Sequence, residues 1–270
     1  MQFLALSNGI KMPILGLGTY CLVGKNGQEA MDKAIQIGYR LFDTAQMYNN
    51  EDRLGNAIQS AIKGGIPRKD FFIQTKLLEA NNEDSTKKSI EKSLKALKLD
   101  YIDSLLIHEP YASSKEMYKA MESFYQQGIL KSIGISNFGA KAYEKFIQNC
   151  KITPMINQCE THLLLQQKPL REVMADKGTL LQSFSPFIAG KGLILENQSL
   201  RNIALKYSKT PAQVILRFLI QHGISTIPKS SKEQRMKENL NIFDFTLNAQ
   251  DIQFLNSLDT NQSSFAWTNY

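Results

Sequence analysis

Cysteine is scarce in this chain: Cys21, Cys150 and Cys159 make an odd number without CxxC spacing. Neither a disulfide framework nor a zinc site is indicated, no metal is expected, and the thiols are read as reduced and mostly buried. No stretch approaches the roughly 18 continuous apolar residues of a membrane-spanning helix. The opening MQFLALSNGIKMP lacks the basic start and long apolar run of a secretory signal, so a cytoplasmic protein without membrane contact is expected. No Pro- or Ser-rich linker, low-complexity tract or shift in composition marks a second domain. Dense basic blocks are missing too: the net charge of +7 is spread along the chain, which speaks against nucleic acid and still favours an anionic small ligand. Finally, Gly16-Leu17-Gly18 is followed by Thr19, Tyr20 and Cys21, so the third glycine of a GxGxxG turn is absent, and there is no P-loop.

What is present is 43% hydrophobic residues over 270 positions, enough for one α/β barrel spanning 1–270. Eight short apolar, β-prone runs alternate with longer segments of helical period. They are Ile14–Leu17, Tyr39–Phe42, Phe71–Thr75, Ser104–Ile107, Ser132–Ile135, Met155–Gln158, Leu180–Phe184 and Ser225–Ile227. Such alternation predicts repeated βα units, and the nearly all-apolar runs suit strands covered on both faces. Ile90, Leu94 and Leu97 share one helix face. Thr210-Pro211-Ala212-Gln213 reads as a capping box with proline at the first helical position, opening a helix that ends at His222-Gly223. Ahead of the first strand, Phe3–Leu6 and Ile10–Met12 around Asn8-Gly9 read as a hairpin placed to plug one end of the barrel.

In barrels, functional side chains come from the C-terminal ends of several strands. Here those ends carry Asp43, Lys76, His108, Ser136-Asn137, Asn157-Gln158, Ser185 and Lys229. Singly, each has a plain alternative: Asp43 as a cap, Lys76 as a snorkelling side chain, His108 as a hydrogen-bonded core histidine. Seven polar ends around one mouth form a pattern that packing does not require.

The segments GYRLFDTAQMY, FFIQTKL, LLIHEP, IGISNF, MINQCETH and IPKSS..R..EN, in this order over nearly the whole chain, resemble the signature motifs of aldo-keto reductases. That resemblance implies a single (β/α)8 barrel, a nicotinamide cofactor held without a Rossmann domain, and a tetrad of Asp43, Tyr48, Lys76 and His108. Hydride delivery to a carbonyl carbon leaves a developing alkoxide that needs a proton. Tyr48 is the candidate acid, Lys76 the ammonium expected to lower its pKa, Asp43 the carboxylate pairing with Lys76, and neutral His108 a donor to the substrate oxygen. Ser136, Asn137 and Gln158 suit a carboxamide headgroup, and Phe184 stands where the family usually has Tyr, still able to stack on a nicotinamide ring. Gly18, Thr19, Asp43 and Ser185 at the same mouth are counted with the cofactor contacts. Lys229, Ser230, Ser231 and Arg235 would receive a 2′-phosphate, which favours NADPH (NADP+) over NADH, with Glu238 and Asn239 toward the adenine.

Glu109 departs from the pattern, since many relatives carry Trp after the catalytic His. It either binds a hydroxylated or cationic substrate or faces solvent. Tyr20, Met47, Leu78 and Phe187 supply the apolar remainder of a substrate pocket that also touches Tyr48 and His108. The tail NQSSFAWTNY is too short for an extended specificity loop, although Phe265 and Trp267 are placed to cover part of a fairly open mouth. His162 is read as structural. The expected activity is reduction of an aldehyde or ketone by a monomer. A Schiff-base barrel aldolase using Lys76 and a cofactor-binding regulatory barrel with little turnover are the alternatives.

Overall fold

A computed structural model describes residues 2–190 and 194–265 of the protein. It opens with an antiparallel pair, β1 (Phe3–Ala5) and β2 (Lys11–Pro13), with Leu4 opposite Met12. The turn between them places Gly9 at φ 85°, a left-handed value that glycine adopts without a Cβ clash.

Eight parallel strands follow: β3 (Leu17–Gly18), β4 (Leu41–Asp43), β5 (Phe72–Leu77), β6 (Ser104–Ile107), β7 (Ile133–Ser136), β8 (Ile156–Glu160), β9 (Leu180–Phe184) and β10 (Ser225–Thr226). Each pairs with the next in chain order. Parallel bridges from Leu15 to Thr226 and from Gly18 to Lys229 join the first to the last and close a (β/α)8 barrel. Closure is tight, for a Cβ on Gly18 would stand 2.7 Å from the Ile227 carbonyl oxygen. Every expected run overlaps its strand, with ends shifted by one or two residues in most. The first is displaced: Ile14 accepts from and Gly16 donates to Thr226 of β10, while the laddered residues are Leu17 and Gly18.

The helices are α1 (Gly24–Ile37), α2 (Glu51–Lys63), α3 (Glu83–Leu97), α4 (Ser114–Gln126), α5 (Ala140–Ile147), α6 (Lys168–Met174), α7 (Gln198–Lys206), α8 (Pro211–Gln221), α9 (Glu233–Leu240) and α10 (Ala249–Ser257). In α8, Thr210 accepts from the Gln213 N–H and the Gln213 side chain accepts from the Thr210 N–H. That capping box satisfies donors the helix start would otherwise leave open, as the sequence predicted. On α3, Ile90 and Leu97 are fully buried and Leu94 is half-buried.

Two apolar layers result from strand alternation. Outward residues such as Phe42, Ile73, Leu105, Ile107 and Ile133 meet the helices. Inward ones, Leu41, Phe72, Leu106, Ile156 and Ile227, pack with Leu6 and Met12 of the hairpin region, which stops the lower end of the barrel. The polar residues above this floor belong to the opposite end. The thiols are less buried than expected: Cys159 is buried, Cys150 half-buried and Cys21 exposed. Among the described residues there is no metal-ligating cluster and no helix long and apolar enough to cross a membrane.

Candidate active site

Strand parity decides what enters the mouth. Leu41 and Phe72 face inward, so Asp43, Gln74 and Lys76 do as well, two and four residues further on. Lys76 is fully buried and Asp43 2% exposed. Lys76 Nζ donates to Asp43 Oδ1 at 2.6 Å, to the Thr44 carbonyl at 3.0 Å and to the Tyr48 hydroxyl at 3.3 Å. Three protons thus meet three acceptors. Tyr48 is carried by a one-turn 3-10 helix, Gln46–Tyr48. Its ring stands edge-on to His108, with centroids 5.7 Å apart. The four residues expected to form the tetrad are therefore gathered from β4, the turn after it, β5 and the residue following β6.

Two side chains that the sequence reading missed hold that turn. Asn50, fully buried, donates to the carbonyls of Thr19 and Leu22 and accepts from the Thr44 hydroxyl. Gln46 donates to Ser89 and Ser93 on α3 and accepts from the Leu78 N–H. Their signal in sequence is only a polar residue in a loop.

Burial works to lower the Lys76 pKa, yet Asp43 and Tyr48 outweigh it and the net shift is upward. Lys76 therefore stays cationic, whereas a Schiff-base nucleophile needs a lowered pKa. For Tyr48, burial raises the phenol, Lys76 lowers it and Asp43 raises it again, leaving it above its ordinary value. The expected lowering by Lys76 is present as one contribution, but it does not govern the sum, because the site is drier than a sequence reveals. Burial and then Lys76 hold His108 down to about 3, so the imidazole is neutral at ordinary pH. Its Nδ1 is buried without a partner among the described residues.

On the opposite arc, the Ser136 hydroxyl donates to the Gln158 carbonyl. Asn137, at φ 65°, donates from Nδ2 to the His108 carbonyl at 3.1 Å and to Glu109 Oε1 at 3.0 Å. Gln158 donates to Asp43 Oδ2 at 2.9 Å. Phe184 and Ser185, both half-buried, follow at the end of β9. Asn157 does not belong to the mouth: neighbours on a strand face opposite ways, and its side chain donates outward to the Phe138 carbonyl. Thr19 is fully buried with its hydroxyl on the Asp43 carbonyl, where it ties β3 to β4.

A third cluster lies after β10. Lys229, Ser231 and Arg235 are exposed, and neither cation has an ion-pair partner among the described residues. They flank the N-terminus of α9, whose open N–H groups and dipole favour an anion. Ser230 is buried and bonds locally to the Lys232 backbone. Glu238 accepts from the Thr210 hydroxyl at 2.6 Å, and Asn239 beside it is buried. An aromatic face at Phe184, amide groups at Asn137 and Gln158, and cations with vacant charge at α9 are together suited to a phosphorylated dinucleotide.

At the rim, Tyr20 (58% exposed), Met47 and Leu78 present apolar surface to solvent, and the Tyr20 ring meets Tyr48 edge-on. Phe187 is half-buried against the apolar clusters between strands and helices, not gathered with them. Glu109 is half-buried, and burial pushes its carboxyl up to about 7 against the pull of Asn137. The tail is anchored across this mouth. Glu160 accepts from the His162 ring at 2.9 Å, from the Ser264 N–H at 2.9 Å and from the Ser263 hydroxyl. Phe265 comes to 6.3 Å from Phe184. Trp267 lies outside the described residues.

Comparison with known proteins bears on this arrangement. A model described as the aldo/keto reductase family matches residues 15–260. The glyoxal reductase of Bacillus subtilis is 40% identical, over 95% of this chain and 92% of its own. An aldo-keto reductase from a Medee basin deep-sea metagenome library superposes with a TM-score of 0.94 at 35% identity, covering 99% of this chain and 98% of that one. A Bombyx mori aldo-keto reductase, solved in complex with NADP, gives 0.92 at 32% identity, with 99% and 96% covered.

Proposed function

This chain belongs to the aldo/keto reductase family, and on that premise we propose that Tyr48, Lys76, Asp43 and His108 are the groups with which it works. The enzyme is an oxidoreductase that reduces aldehydes or ketones to alcohols with NADPH. Bound NADPH supplies the hydride. The substrate oxygen sits between Tyr48 and neutral His108, and both donate to it as negative charge develops. Tyr48 gives up its proton there. The ammonium of Lys76, already on the Tyr48 oxygen at 3.3 Å, stabilises the phenolate left behind, while Asp43 at 2.6 Å holds that ammonium in place. A phenol above its ordinary pKa keeps its proton until the alkoxide forms, which suits an acid that must not ionise early.

Ser136, Asn137 and Gln158 hold the carboxamide, Phe184 stacks on the ring, and Gly18, Thr19 and Ser185 shape the adjoining wall. Lys229, Ser230, Ser231 and Arg235 take the 2′-phosphate, with Glu238 and Asn239 toward the adenine. Tyr20, Met47, Leu78 and Glu109 line the substrate side. The glyoxal reductase likeness supports small dicarbonyls as substrates, and an open apolar rim supports breadth beyond them. We place the protein in the cytoplasm as a monomer acting through one domain.

The observation that carries this reading is the buried Lys76 ammonium donating at once to Asp43 and to the Tyr48 oxygen. Tyr48→Phe is expected to lower kcat by about 10²- to 10⁴-fold, the usual worth of a positioned acid. NADP+ affinity, read from quenching of protein fluorescence, should stay within about threefold because no cofactor contact is lost. Turnover retained by Tyr48→Phe removes Tyr48 from the role of acid.

A further inference from the structure

Below the catalytic groups, four side chains close a ring across the barrel interior. Gln74 Nε2 donates to Asp43 Oδ2 at 2.7 Å and to Gln182 Oε1 at 2.5 Å. Gln158 Nε2 donates to the same two oxygens at 2.9 and 2.8 Å. Gln182 in turn donates to the Ser225 hydroxyl at 3.3 Å. All four are at most 2% exposed. They come from β4, β5, β8 and β9, so the ring braces strands that do not all touch one another.

The direction of every bond is compelled. An ionised Asp43 can only accept, so Gln74 and Gln158 must turn their amino groups toward it. Each amino group has a second proton, and Gln182 Oε1 takes both. Gln74 Oε1 is left buried without a partner among the described residues, a cost the fold bears to keep the donor on Asp43. With Lys76 on Oδ1, the Asp43 carboxylate is held at both oxygens. With both amino protons of Gln158 engaged, its side-chain oxygen Oε1 is the group a bound carboxamide can address.

We propose that Gln74 and Gln182 are positioning residues, which act through Asp43 and Gln158 to fix how the nicotinamide carboxamide is received. The carboxamide amino group, and not its carbonyl, then meets Gln158, and the ring plane is set relative to Tyr48. The proposal rests on Gln158 and Asp43 having the roles given above. Neither glutamine touches the reacting atoms.

Isosteric removal tests it. In Gln182→Met, both amino groups lose an acceptor and the Gln158 amide is no longer locked. NADP+ affinity by calorimetry should fall about tenfold, the scale of one misplaced hydrogen bond, while adenosine 2′,5′-bisphosphate, which reaches only the α9 end, should bind within about twofold of native. Gln74→Met should show the same split, and the double variant should be no worse than the poorer single one, because both act through one ring. Equal weakening of both ligands, unchanged binding of both, or failure of both single variants to fold assigns the glutamines a merely structural role and overturns the proposal. Native protein that binds bisphosphate but not NADP+, or neither, removes the parent reading and this one with it. Native protein that binds both and reduces an aldehyde, beside variants lacking the split, removes this one alone.

Discussion

Lys76 spends all three of its protons inside the protein, so its charge is fixed in direction as well as in amount. Glu109 is the contrasting residue, a carboxyl with one hydrogen bond and a partly wet surface. Burial raises it to about 7, so it is neutral below that pH and anionic above. A substrate with its own carboxylate should therefore lose kcat/KM as pH rises through about 7, an uncharged aldehyde much less, and Glu109→Gln should flatten the difference. Stability follows the same sign. A carboxyl whose folded pKa exceeds its unfolded value contributes stability that is whole at low pH and lost as pH climbs from about 4.5 through 7. Glu109→Gln should gain on the native protein by about 1 kcal/mol at pH 8 after allowance for solvent screening, and by nothing near pH 4, as read from urea melts at the two pH values. An unchanged pH dependence would show that Glu109 stays solvated.

Elements, in this fold, carry chemistry at their ends. The N-terminus of α9 combines open N–H groups with Lys229 and Arg235, and Thr210, whose hydroxyl caps α8, also donates to Glu238 on α9. Arg235→Ala should weaken NADPH by about tenfold, within the range of a charge-assisted hydrogen bond, and NADH by less than twofold. Parallel titrations decide it, for equal losses would place Arg235 away from the 2′-phosphate. Element by element, the sequence was readable where a rule is local. The strand ends at Asp43 and Lys76, the α8 capping box and the Asn8-Gly9 turn each declare themselves within a few residues. Asn157 could have been assigned outward from the period of two alone, since Gln158 had already been given the inward face. Gln74 and Gln182 could not. Each is one polar residue among others in its strand, and the hydrogen bond that joins the two spans 108 positions of the chain. The net rise of the Tyr48 pKa was hidden for a similar reason: it measures burial, which no single segment reports.

At the scale of the molecule, the barrel separates support from reaction along its axis. Leu6, 3% exposed, packs with Met12, Leu41, Phe72 and Leu106 in the lower floor, while the catalytic groups occupy the other end. Leu6→Ala should cost about 2–4 kcal/mol of stability through the cavity it leaves, with kcat per folded molecule unchanged. Thermal melting beside active-site titration checks both halves; a fall in kcat would mean that the floor and the mouth are mechanically joined.

The bridges from Leu15 and Gly18 to Thr226 and Lys229 also set a timetable. A chain emerging from the ribosome has Asp43 early, Gln182 late and the closing strand β10 later still. Until β10 arrives, the growing sheet has two bare edges, and strands with unpaired N–H and C=O groups invite pairing with a neighbour. The interval between the emergence of β9 and that of β10 is therefore the one in which this protein is most exposed to misassembly, and the one in which a chaperone has most to shield.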